Sequence, residues 1–143
     1  MEIQDLALFK KISRENYYNI WQKVKRNEQL LGEDKIAGEL MKQHSEYYED
    51  WDSTDFDYEY SPETDEVNPF LHLQFDTIIM NQITSNSPPQ TKLAYDRLRE
   101  KGKSHLDSLY KLASVIVEEI WNIIKYGKEF NEKNYIRNLK KIK

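Results

Sequence analysis

Cysteine is absent from this 143-residue chain. That excludes disulfides, thiolate nucleophiles and cysteine-ligated zinc or iron–sulfur centres, so any metal would have to sit on His, Asp, Glu or Tyr. Glycine and proline number only four each, and they fall as punctuation between periodic segments, the pattern of helices joined by short loops. No run of about 18 apolar residues is present to span a bilayer. The stretch MEIQDLALFKK carries acids before its bases and too short an apolar core for a secretory signal, so a soluble, cytoplasmic protein is expected. Gly-x-Ser-x-Gly and glycine-rich phosphate loops are also missing, which leaves hydrolase and nucleotide-binding readings without support.

Positive charge is missing from a long stretch. Between Lys42 and Lys92 there is no Lys or Arg, while residues 43–91 hold eleven acids. From Lys92 onward thirteen basic residues face seven acidic ones, and residues 1–42 are near balance at eight basic to seven acidic. Such segregation suits attraction within one fold, or a homodimer or protein partner engaged through the acidic stretch and the basic C-terminal helices. The net charge of −4 and the spread of the basic residues over solvated helices argue against nucleic acid.

The length fits one domain over residues 1–143, burying roughly two-thirds of the surface that the unfolded chain exposes. Hydrophobic spacing predicts an all-α, single-domain bundle of five to six helices. Ser13 is placed to cap a helix whose Tyr17, Ile20, Trp21 and Val24 share a face, ending near Asn27, with Ile3, Leu6 and Phe9 forming an extra turn or two before it. After Gly32, the stripe Ile36, Leu40, His44, Tyr47 and Trp51 predicts a second helix. Asn68 and Pro69 form a strong helix start, the side chain capping and the proline sitting where its missing N–H costs nothing. Phe70 and Leu71 then begin the packing of a helix that runs to about Thr84. A short helix over 90–101 carries Leu93, Tyr95 and Leu98 and stops at Gly102. Ser104 with Asp107 opens the longest apolar helix, His105 to Tyr126, with the stripe Leu106, Leu109, Ala113, Ile116, Val117, Ile120 and Ile124 and a left-handed cap at Gly127. Asn131 caps a last helix with Tyr135, Leu139 and Ile142.

Between the second and third main helices lies EDWDSTDFDYEYSPETDEV, residues 49–67, in which acids alternate with Phe56, Tyr58 and Tyr60 before a Ser-Pro turn. Alternation predicts an extended acidic loop pinned by its aromatic side. Asp50, Asp52, Asp55, Asp57 and Glu59 could supply oxygens to calcium, but the glycine and terminal glutamate of an EF-hand loop are missing.

Two inward-facing histidines stand out. On a helix wheel from Pro69, His72 and Asp76 lie one turn apart with Ile79 and Ile83, opposite Gln74, Thr77 and Asn81. His44 sits in the middle of the second helix's apolar stripe, with Tyr48 one turn later. Two histidines and one carboxylate suit a zinc or iron ion, so His44, His72 and Asp76 are the candidate ligands, with Tyr48 or a water completing the shell. The same residues also make sense as a satisfied buried polar set, Asp76 orienting His72. His105, at a helix N-terminus, is expected to face solvent. Glu118 reads as a solvated carboxylate, and Glu119 lies nearer the apolar edge without an assignable partner.

HSEYY at 44–48, YSPETDEVNPFLH at 60–72, the double proline at 88 and 89, EEIW at 118–121 and NEKNYIRNL at 131–139 together resemble the DUF1841 family of uncharacterised bacterial proteins, over most of the chain. The resemblance implies no established activity. Members tend to read His-Pro-Glu-Tyr-His where this chain has His44 and then Tyr48, and to carry a further His where it has Asp76. Around His105 they tend to hold a second His, which here would fall near Leu109 or Tyr110. A metal site in relatives would therefore imply a changed or lost ligand set here. Two functional expectations follow: a non-catalytic interaction or self-associating module, and, as an alternative, a metal-binding protein or metal-dependent enzyme built on the histidines.

Overall fold

The computed structural model describes residues 3–61, 65 and 67–143, and the side chains of these except for residues 3–10 and 124. The described residues are all-α. They form α1 (Ile3–Lys25), α2 (Gly32–Gln43), a 3₁₀ turn (Ser45–Tyr47), α3 (Tyr48–Asp52), α4 (Pro69–Ser85), α5 (Pro89–Glu100), α6 (His105–Tyr126) and α7 (Glu132–Lys141). Contacts divide the chain into two compact units, Met1–Gln74 and Phe75–Lys143. The division falls inside α4, which is continuous through it.

In the N-terminal unit, α1 passes straight through Ser13, so that serine is no cap. A serine inside a helix costs only about half a kcal/mol against alanine, too little to end one. The helix ends as a left-handed Asn27 (φ 57°) allows: the Glu28 N–H donates to the Lys23 carbonyl (3.0 Å) and the Asn27 N–H to that of Val24 (3.0 Å), which satisfies two orphan carbonyls. Ile20, Trp21 and Val24 are buried with Ala37, Leu40, Met41, Trp51, Phe70 and Leu73. The side chains of Ile3, Leu6 and Phe9 lie outside the described residues.

The predicted second helix is broken. At His44 the backbone leaves the helical region (φ −101°, ψ 70°), and the chain resumes as the 3₁₀ turn and α3. Two carbonyls released by the break are taken up by aromatic donors. Trp51 Nε1–H donates to Met41 O (3.1 Å) and the Tyr48 hydroxyl to Lys42 O (2.5 Å). The apolar stripe had the right residues, since Trp51 is buried and Tyr47 half-buried, but they arrive by a turn rather than by a continuous helix. This split accounts for seven α-helices among the described residues in place of five to six.

The first four residues of the acidic stretch, 49–52, are helical, and irregular chain begins at Ser53. Arg14, itself buried, donates from its guanidinium to the carbonyls of Tyr58 (3.1 Å) and Asp55 (3.2 Å), and its Cζ stacks 3.9 Å from the centre of the Phe70 ring. Phe56 meets Tyr18, and Tyr60 meets Phe70. Pro62 of the Ser-Pro turn lies outside the described residues.

The C-terminal unit is largely aliphatic, around the buried Tyr135. Leu98, Leu109, Leu112 and Leu139 are completely buried, and each such side chain contributes about 1.5–3 kcal/mol. The α6 stripe is rotated from its predicted setting. Leu112, Val115 and Glu119 are buried alongside Leu109, Ala113 and Ile116, whereas Val117 is exposed and Leu106 and Ile120 are half-buried; the Ile124 side chain lies outside the described residues. The cause is α7: Asn134 Nδ2–H donates to Glu119, which gives the carboxylate the partner that lets it turn inward. Gln82 Oε1 accepts from Thr91 Oγ1 and from the Tyr135 hydroxyl, both at 2.7 Å. Leu93 is exposed, and Ala94 takes its place in the core. Ser104 and Asn131 cap α6 and α7, and Gly127 (φ 62°) ends α6, all as the sequence indicated.

Candidate metal centre

Local rules place His72. Asn68 Oδ1 accepts from the backbone N–H groups of Phe70 (3.1 Å) and Leu71 (3.2 Å), so α4 starts at Pro69 in a fixed register. Phe70 and Leu73 go into the core and Leu71 stays exposed. His72 and Asp76 then share a face one turn apart; Asp76 is 1% exposed and His72 half-buried. Asp76 is held to His72 by the continuity of α4 itself.

His44, 4% exposed, brings its ring centre to 5.0 Å from that of His72, edge to face at 89°. Tyr47 stacks on His44 at 5.5 Å and 27°, and presents an edge to His72 at 6.3 Å. Behind them Trp51 packs against Tyr47 (5.8 Å) and Phe70 (5.2 Å). One nitrogen each of His44 and His72 and one oxygen of Asp76 all lie within 4.8 Å of one another. Around a tetrahedral zinc at about 2.1 Å, ligand atoms stand about 3.4 Å apart, so small side-chain rotations would close the set on an ion.

The fourth residue suggested by the sequence stands differently. The Tyr48 hydroxyl is committed to the Lys42 carbonyl, and its ring lies against Trp21 at 4.9 Å. A residue the periodicity did not bring forward is Glu46, whose Oε1 lies 2.9 Å from His44 Nδ1. In a continuous helix it would have pointed away from His44, and the break at His44 is what joins them. Burial acts to raise the Glu46 carboxyl's pKa, but the hydrogen bond with His44 and the charges of His44 and His72 outweigh it and hold it below the ordinary value. His105 is not fully solvent-facing: it is half-buried, with Nδ1 2.8 Å from the Tyr95 hydroxyl.

Taken together, these features define a helical protein with two imidazoles and a carboxylate converging on one buried point. Residues 10–141 match the family described as a domain of unknown function, DUF1841, and the chain belongs to that family. No curated protein and no solved structure matches it. Among the described residues, no helix is long and apolar enough to cross a membrane.

Proposed function

We propose that this protein binds one divalent transition metal ion, zinc or iron, through His44, His72 and Asp76. The observation that carries this reading is the convergence of the three donor atoms within 4.8 Å, from residues that are mostly buried. A carboxylate withdrawn from water needs strong compensation, and a bound cation flanked by imidazoles supplies it. Three protein donors leave coordination positions for water or a small ligand, the arrangement that permits a metal-activated water. Elemental analysis of purified protein tests the reading. Stoichiometric zinc or iron is expected, lost from a His72→Ala variant; metal-free protein whose melting temperature ignores added zinc and iron would overturn it.

A second reading, an interaction or self-associating module, draws support from α6. Tyr110, Val117 and Trp121, at spacings of seven and four, are 63%, 39% and 59% exposed, an apolar strip on a helix within the basic part of the chain. Sedimentation at low and high salt tests it, and a strictly monomeric protein at both would count against self-association.

A further inference from the structure

We propose that Glu46 is a positioning residue for the metal site: it accepts a hydrogen bond from His44 Nδ1–H and thereby presents His44 Nε2 as the metal-ligating nitrogen. This rests on the metal-binding reading above and adds to it a fixed tautomer and a residue that sets affinity.

Three features support it. First, the Glu46 Oε1 to His44 Nδ1 distance is 2.9 Å. An ionised carboxylate can only accept, so Nδ1 must carry the proton; in a neutral imidazole the remaining lone pair is then on Nε2. Second, the contact is made by the irregularity of the backbone. Residues two apart on an α-helix point about 200° apart and do not meet. Here His44 is non-helical, and the Tyr47 N–H closes the next turn on the His44 carbonyl at 3.0 Å. That folds Glu46 back against the ring. Third, the partners differ in environment: the His44 side chain is 6% exposed and that of Glu46 is 55% exposed. The carboxylate therefore sits at the rim and holds the outer nitrogen, while Tyr47, stacked at 27°, holds the ring plane. A carboxylate on the far nitrogen of a ligating histidine fixes its orientation and raises its basicity, and losing it typically costs about 10–100-fold in metal affinity.

The test is zinc affinity by competition with a chromophoric chelator for the parent protein, Glu46→Gln, Glu46→Ala and Glu49→Gln. The last removes a nearby exposed carboxylate on α3 that makes no bond to His44, and so reports the effect of net charge alone. Glu46→Gln and Glu46→Ala are expected to bind zinc about 10–100-fold more weakly, and Glu49→Gln like the parent. Long-range proton–nitrogen spectra of the zinc-bound parent should show His44 protonated at Nδ1 and coordinated through Nε2. Melting of the metal-free variants checks that the fold is retained, which the exposure of Glu46 favours. Parent protein that binds zinc while Glu46→Gln binds equally well would overturn the positioning role and leave the site standing. Equal weakening by Glu46→Gln and Glu49→Gln, or coordination through Nδ1, would overturn it too. A parent that binds no zinc would overturn both the site and the role.

Discussion

Each of the two compact units is stabilised within itself by different means. Met1–Gln74 buries aliphatic side chains such as Ile20, Leu40 and Leu73 but adds to them contacts between rings and between side chains and stray backbone carbonyls: Trp51 on Met41, Tyr48 on Lys42, Arg14 on Asp55 and Tyr58. In Phe75–Lys143 the core is mainly leucine, isoleucine, valine and alanine packed around the buried Tyr135, with a few hydroxyl and amide bonds around Gln82 and Glu119. The difference follows from the backbone. The N-terminal unit contains a broken helix and an irregular connection, whose free carbonyls must be satisfied by side chains. In the C-terminal unit the backbone is more regular: Ser104 and Asn131 cap α6 and α7, and Arg97 donates to the Leu139 carbonyl (2.8 Å) at the end of α7. Polar chemistry collects where regular structure lapses, and His44, at such a lapse, is the donor around which the candidate site assembles.

The comparison can be broken most forcefully at the cores. Trp51→Ala removes a buried indole together with a carbonyl's partner and should cost about 3–5 kcal/mol; Leu112→Ala should cost about 2–5 kcal/mol. Calorimetry then asks whether the two substitutions lower separate transitions or a common one. A common transition would mean that the units, though differently built, melt as one domain.

Next in size is the metal. With free zinc at 100 times its dissociation constant, the parent should gain about 2.7 kcal/mol, read as a rise in melting temperature. Asp76→Asn should lose most of that gain.

These two experiments meet at what the sequence could and could not convey. Helix type, the caps at Asn68, Ser104 and Asn131, and the shared helix face of His72 and Asp76 were all readable, because each depends on neighbours within four residues. The break at His44 was not, since its apolar stripe continues unbroken through Tyr47 and Trp51. What pulls the chain out of register is Trp51 reaching ten residues back to Met41, a contact that helical periodicity cannot encode. The Glu46 contact was hidden by the same assumption. Glu119 illustrates a further limit: a glutamate reads as polar surface until Asn134, on another helix, gives it a reason to be buried.

A smaller effect sharpens the role of Arg14. Replacing it with Lys keeps the charge but not the planar fork that reaches two carbonyls, and should cost about 2 kcal/mol. Faster amide exchange confined to residues near 55–60 would show that the guanidinium tethers the connection; unchanged exchange would show that the aromatic contacts suffice.

The smallest effect is alkaline. Tyr17, Tyr60 and Tyr135 all have raised pKa values, chiefly through burial, and Tyr60 also through its hydrogen bond to Asp50 and that residue's charge. The unfolded chain would lose these protons near pH 10 while the folded chain keeps them. Their contribution to stability is thus complete below about pH 10 and declines as pH rises beyond it. Absorbance at the tyrosinate band should show late-titrating tyrosines in both units, and denaturant midpoints should fall between pH 9 and pH 11.

The start of α4 at Asn68 also sets how length changes would be tolerated. Upstream, the irregular connection can gain or lose a residue without altering the angle between His72 and Asp76, because that angle is counted from within the helix. Downstream, one residue inserted between them would swing the carboxylate by about 100° around the helix axis. The cap acts as an origin of phase: variation in spacing is cheap on one side of it and ruinous to the cluster on the other.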